Sequence, residues 1–241
     1  MIRTCTRLGP LILCLVLSTG CGGDTDDPTG PSIPTNGLLA YLPFSGNAND
    51  ASGNGNHGML LGGAAASSEL LLGDNTTDML TLPGSVLDGV ADFTFSAWLR
   101  IDVLRGENHQ ILSAANAVED NVIGIWYREA TDEWVFGEDD DSYEFGTDAR
   151  IEDGQWHHVV VTRAGSSAQI YFDGLPLGSA VSVPGDVLDV DPNGLVFGQD
   201  QDMVGGGFEA DEAWAGAMDN LRLYDRAVSG TEAQSLAEEQ R

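Results

Sequence analysis

Phe93-Thr-Phe-Ser-Ala-Trp-Leu-Arg-Ile101 is the stretch that decides the fold. On an extended chain Phe93, Phe95, Ala97, Leu99 and Ile101 share one face, and Thr94, Ser96, Trp98 and Arg100 share the other. That period of two belongs to a strand with one face in a core, not to a helix. Working outward, similar short runs recur at Leu38–Phe44, Gln110–Ala114, Val122–Tyr127, Trp134–Gly137, His158–Thr162, Gln169–Phe172, Leu195–Gly198 and Leu221–Tyr224. Asp153-Gly154, Asp173-Gly174 and Asp191-Pro-Asn-Gly194 punctuate them as turns. Many short strands with Gly-rich turns predict an all-β, two-sheet antiparallel jelly-roll sandwich. One short helix is predicted at the C-terminus, where Ser229-x-x-Glu232 forms a capping box and Ala233, Leu236 and Ala237 form an apolar stripe.

Charge narrows the partners. The 241 residues carry 38 Asp plus Glu against 10 basic residues, all arginine, for a formal charge of −28. Nucleic-acid affinity rests on cationic contacts to phosphates, so nucleic acid is excluded as a partner, and so is adsorption to anionic lipid by charge. The apolar fraction of 42% is that of a folding chain, not of an acidic disordered tail.

The first residues read as an address. Arg3 and Arg7 precede the apolar run Leu11–Leu17, which is too short to span a bilayer, and Leu17-Ser-Thr-Gly-Cys21 follows. Small residues before a Cys at this place resemble the lipobox of bacterial lipoproteins, although Ser18 stands where Leu is usual. The resemblance implies a signal peptide over 1–20, acylation of Cys21, and an exported, membrane-anchored protein held by its lipid alone. An ordinary secretory signal is the other reading. Cys5 and Cys14 would leave with the signal, so the mature chain would hold no intramolecular disulfide and no thiol chemistry. The Gly, Pro, Thr and Asp of 21–36 predict a tether, and 37–241 the folded domain.

Three further stretches carry a family likeness. Gly37–Gly58 (GLLAYLPFSGNANDASGNGNHG) looks like the opening of bacterial laminin-G-like, concanavalin A-like modules, and Asp153–Gly174 is similar to their middle strands, with Trp156 beginning a buried strand. Phe197–Asp225 resembles the calcium-binding segment and following strand of the pentraxins, a likeness that reaches back through Arg105–Trp126 to the pair Asp120-Asn121. Two departures stand out. Pentraxins bridge two strands with a disulfide where this chain has Ser96 and Val160, and their opening segment lacks the Gly-Asn-rich run.

The resemblance implies one calcium ion held by Asp120, Asn121, Asp200, the Gln201 carbonyl and Asp202, and a second by Asp200, Asp202, Glu209 and Glu212. Asp200 replaces a longer Glu, and Glu212 replaces Gln. The chemistry agrees, since calcium takes six to eight oxygens at flexible geometry. Asp200 and Asp202 alternate around Gln201, and Gly205-Gly206-Gly207 lets the chain fold back over them. An acidic Gly-rich surface loop without an ion is the alternative. Trp126 falls where the family has an aromatic side chain beside the ions. It is either a ligand platform or a core residue, because Ile125 and Trp126 point opposite ways and only one need be buried.

Other acidic and basic motifs read as structural. Asp189-x-Asp191-x-Asn193-Gly194 has EF-hand spacing, but Pro184-Gly185 and Pro192 break the helix that motif needs, so a turn is predicted. Glu138-Asp139-Asp140-Asp141, with Glu144, reads as a solvated hairpin tip. Glu138 and Asp140 are the pair a glycosidase would use, yet Ser142 stands where a third acid is needed. His157 and His158 point apart on a strand, His57 reads as a turn residue and His109 as a loop residue. The function expected is a lipid-anchored, calcium-dependent lectin-like protein that binds glycan or phosphate-bearing ligands and is no enzyme. A glycoside hydrolase or lyase on the same fold, and a metal-independent adhesion module, are the alternatives. Oligomeric state is left open.

Overall fold

The computed structural model describes residues 32–119, 122–139, 141–146, 149–239 and 241. In chain order the strands are β1 (Leu38–Leu42), β2 (Met59–Leu61), β3 (Ala65–Ala66), β4 (Leu70–Leu72), β5 (Met79–Leu82), β6 (Phe93–Ile101), β7 (Asn108–Ala114) and β8 (Ile123–Arg128). Then follow β9 (Glu133–Glu138), β10 (Asp141–Phe145), β11 (His157–Ala164), β12 (Ser167–Phe172), β13 (Leu175–Ser182), β14 (Leu195–Phe197), β15 (Gly216–Tyr224) and the helix α1 (Gly230–Ala237). Every pairing is antiparallel. The first sheet runs β13-β12-β11-β6-β15-β4-β3, with β1 also on β15, and the second runs β10-β9-β8-β7-β14-β5-β2. This is the two-sheet sandwich expected.

The alternation in β6 does what its pattern demands. Phe93, Phe95, Ala97, Leu99 and Ile101 all lie in the core between the sheets. Across the gap Phe95 stacks on Phe197 of β14 at 6.4 Å, and Phe93 meets Phe136 of β9 at 6.0 Å. These large rings supply much of the apolar area that holds the layers together. One buried ion pair crosses the same interior: Glu138 of β9 accepts from Arg163 of β11, both almost fully buried, and Gly185 N–H donates to Glu138 Oε1 at 3.1 Å. The solvated tip expected for 138–141 is therefore corrected at its first residue. Glu138 points inward with Phe136 because the strand period places it there. Asp140 lies outside the described residues.

The outer face of the first sheet is closed by the chain's own tail. Val160, Tyr224, Val228, Ala233 and Leu236 form a second apolar cluster, against which Ile33, Leu38 and Tyr171 pack. The capping box is present in full: Glu232 N–H donates to Ser229 Oγ at 3.3 Å, and Ser229 N–H to Glu232 Oε2 at 2.7 Å. Tyr224 Oη donates to the Pro34 carbonyl at 3.1 Å, and Arg226 Nε to the Asn36 carbonyl at 2.8 Å. Residues 33–36, read as the end of a tether, are thus docked on the domain, because Ile33 finds an apolar partner that composition does not reveal.

Trp156, beside the first sheet, differs in detail from expectation. Trp156 does not begin a buried strand. It stands immediately before β11, with the guanidinium groups of Arg100 and Arg241 over its ring, 4.8 and 3.7 Å from the centroid. Ser96 and Val160, the positions matching the pentraxin disulfide, are directly opposed on β6 and β11. Ser96 Oγ instead meets His158 Nε2 at 3.0 Å. Burial drives the His158 imidazole down to about 3, helped by the nearby Arg222 charge, so it is neutral at any physiological pH.

Candidate functional site

The outer face of the second sheet is built differently. Its strand registers line up one row of outward positions: Met59, Thr81, Val196, Ser113, Gly124, Gly137 and Ser142, from β2 to β10. The middle of the row is small. That space is filled from above by the loop between β14 and β15 and by one aromatic ring.

The ring is Trp126. Ile125 is wholly buried in the core, so Trp126 lies on the outer face of the sheet, half-buried. Its indole lies down across Gly124 and Gly137. A Cβ at Gly137 would stand 2.7 Å from Trp126 Cζ3, so no other residue fits beneath the ring without displacing it. Trp126, Gln110, Gly137, Asp141, Ser142 and Asp200 line a cleft of about 180 Å³, which Asn108 also borders.

The loop after β14 is pinned at its base. A bulge in β7 between Gln110 and Leu112 frees main-chain groups to hold it. Gly198 N–H donates to the Ile111 carbonyl at 3.1 Å, Gln110 N–H to the Glu212 carbonyl at 2.9 Å, and Trp214 N–H to the Gly198 carbonyl at 2.9 Å. Gln199 Nε2 ties the loop's start to the Asn75 carbonyl at 2.6 Å. Gln201, expected to contribute its main-chain carbonyl, has a second role that sequence reasoning missed. Its buried side chain donates to the carbonyls of Ser113 and Gly194 at 3.1 and 2.9 Å, and accepts from Gly205 N–H at 2.8 Å. A Gln between two Asp residues gives no hint of this, because its partners are distant in sequence.

The fold-back expected at Gly205-Gly206-Gly207 is present. Gly206 N–H donates to the Met203 carbonyl at 2.8 Å, closing a tight turn with Gly205 at φ +66°. Gly207 has φ +77°, and a Cβ there would lie 2.6 Å from Asp202 Cβ, so the returning strand rests on Asp202 itself. Glu212 N–H then donates to the Glu209 carbonyl at 3.3 Å. Burial pushes the Glu212 carboxyl up to about 7, and the charges of Asp200, Asp202, Glu209 and Asp211 push the same way. Three of the expected ligand side chains, Asp200, Asp202 and Glu209, thus act electrostatically on the fourth, Glu212.

Among the described residues, no three of these carboxylates close into a metal cage. Asp120 and Asn121 lie outside the described residues, as do Cys21 and the signal segment. The donor set fits calcium in kind, being all oxygen, strongly anionic and mutually repelling until a cation is shared. Outside the loop, His109 is corrected from a loop residue to a wholly buried position in β7. Its Nε2 meets Glu129 Oε2 at 2.9 Å, and burial lowers its basicity. Asp189–Gly194 forms the expected turn, with Gly194 N–H donating to the Asp191 carbonyl at 2.8 Å and β14 following directly.

Fold and site together define a lectin-type β-sandwich with an open cleft on the outer face of one sheet. Residues 74–234 match the model of a laminin-G family described as the concanavalin A-like lectin/glucanases superfamily, and the chain belongs to it. Human pentraxin-4 is 28% identical over 68% of this chain and 34% of its own length. Human neuronal pentraxin-1 is 37% identical over 36% of this chain and 21% of its own. The chain therefore spans about a third or less of these relatives. Among solved structures, the heptameric SAP-like pentraxin of Limulus polyphemus is 25% identical with a TM-score of 0.55, covering 63% of this chain and 71% of that one. Domain 4 of the arabinanase AbnA from Geobacillus stearothermophilus, solved with arabinotriose, has a TM-score of 0.65 at 18% identity, covering 83% of this chain and 98% of that one. Trypanosoma rangeli sialidase, solved with sialic acid, reaches 0.66 at 20% identity over 86% of this chain and 33% of its own. The last two likenesses show the fold.

Proposed function

We propose that the domain is a calcium-dependent, lectin-like binding module for glycan or phosphate-bearing ligands, exported and anchored through an acylated Cys21. The observation that carries the reading is the loop itself. Asp200, Asp202, Glu209 and Glu212 are folded together beside the Trp126 cleft by a base pinned to the β7 bulge. The pentraxin relatives support the same assignment. Asp120, Asn121, Asp200, the Gln201 carbonyl and Asp202 would hold one ion, and Asp200, Asp202, Glu209 and Glu212 a second. Calcium bound there supplies positive charge and open coordination positions to ligand oxygens. Trp126 offers a flat apolar face to a sugar ring or a choline group beside it. Ligand binding without catalysis is the reading favoured over hydrolysis, because Glu138, half of the acid pair a glycosidase would use, is consumed in the buried pair with Arg163.

Calorimetric titration of calcium into chelator-stripped protein tests this directly. Heat is expected for the native chain and none for Asp202→Ala or Asp120→Ala. A glycan and phosphocholine array should show binding with calcium that vanishes in chelator, and Trp126→Ala should lose ligand while keeping the calcium heat. Binding undiminished in chelator would favour the metal-independent adhesion module. For the anchor, Cys21→Ala should move the protein from the membrane fraction to the soluble one.

A further inference from the structure

A second hollow lies on the same sheet face, on the other side of the loop from Trp126. It measures about 790 Å³. Met79 and Val196 line it from β5 and β14, Met59 from the edge strand β2, and Val204 and Phe208 from the loop. No Asp, Glu or Arg side chain lines it, and its polar members are His57, Thr76, Thr77, Thr81 and Asn193. Met59 is 59% exposed, and Met203 at the loop tip is 62% exposed. The lining methionines Met59 and Met79, with Phe208, make an adaptable apolar surface. Gln201 sits over Ser113, the row position between Val196 and Gly124, so this one loop is a wall of both hollows.

We infer that this groove takes the alkyl or acyl chain of a ligand whose phosphate or carboxylate head is held at the acidic loop, so that the ligand is a lipid-like oxyanion. The inference rests on the calcium reading of the loop and deepens it. Charge complementarity selects the head group. All eight arginines among the described residues already pair with carboxylates, so an oxyanion head finds no unpaired arginine there, and a metal on the loop would supply the charge that holds it. The apolar side of the lining, with Met59, Leu61, Met79, Val196, Val204 and Phe208, selects the tail. Phe208 faces the groove and the next residue, Glu209, belongs to the acid cluster, so the two parts of the ligand need only straddle the loop. Each methylene buried in such a groove is worth roughly fourfold in affinity.

Titration of octyl phosphate and methyl phosphate, both below micelle-forming concentration, into the full chain with calcium tests it. Octyl phosphate is expected to bind at least about tenfold tighter. Met59→Asp and Leu61→Asp, on the exposed edge strand, should each reduce octyl phosphate to the methyl phosphate level while leaving methyl phosphate binding and the calcium heat unchanged. Equal affinity for the two phosphates in calcium, or an octyl advantage that survives both variants, overturns the groove and leaves the calcium site standing. An octyl advantage undiminished in chelator overturns the single two-part ligand. Absence of calcium heat and of any phosphate binding overturns the site reading, and the inference with it.

Discussion

The outer faces of the two sheets start from the same alternating strands and end in opposite states. On the first sheet the outward positions include Val160, Tyr224 and Arg222, and the chain spends its C-terminal helix and residues 33–36 covering them. On the second sheet they include Ser113, Gly124 and Gly137, which offer nothing for a helix to pack on. That face is left to a pinned acidic loop, a reclining tryptophan and two hollows. On the first face large apolar residues are covered from within the chain; at the centre of the second, small ones leave room above the sheet. The first face is structural and the second is available.

The comparison can be broken most severely at the ion pair that joins the two layers. Glu138→Ala leaves Arg163 charged and buried, which should cost about 3–5 kcal/mol in denaturant unfolding; a loss below about 1 kcal/mol would show that the interior is wetter than the packing implies. Next comes the metal. Calcium at a hundredfold excess over its dissociation constant should stabilise by about 2.7 kcal/mol, raising Tm by roughly 5–10 °C. The gain should disappear in Asp202→Ala and remain in variants of the first sheet's outer face, such as Ser229→Ala.

pH sharpens the contrast because the two faces respond with opposite sign. Glu212 holds its proton up to about 7 in the folded chain, above the ordinary carboxylate value of 4.5. The folded state therefore binds more protons over that interval, and stability in chelator should fall as pH rises from 4.5 to 7. Glu212→Gln should flatten that decline, and calcium should suppress it. His158 on the other sheet has its basicity depressed from 6.5 to about 3, so its contribution is complete above 6.5 and is lost as pH falls toward 3. Melting curves of Glu212→Gln across this range separate the two. The smallest effect concerns the cover itself: Ser229→Ala removes one half of the capping box and should cost about 1 kcal/mol, with no change in calcium binding.

A strand with strict apolar alternation, such as β6, and a continuous β-branched run, such as Val159–Val161 of β11, were legible from residues alone, as was the capping box of α1. β2 to β5, β10 and β13 were not. The first four are two to four residues long, and β13 (LPLGSAVS) is a mostly exposed edge that needs no apolar period. In the site, the Gly205–Gly207 turn was legible because only glycine accepts those backbone angles. The anchoring by Gln199 and Gln201 was hidden, since an amide announces neither its partner nor its burial.

Sequence by itself determined the sandwich and the acidic loop, because alternation and charge are local properties that survive without knowledge of neighbours. Only the tertiary structure decided that Glu138 is interior, that Trp126 is exterior, and that an apolar groove shares a wall with the carboxylates. Those outcomes depend on which strands become adjacent and which face each presents, and that is settled when the two sheets close on one another.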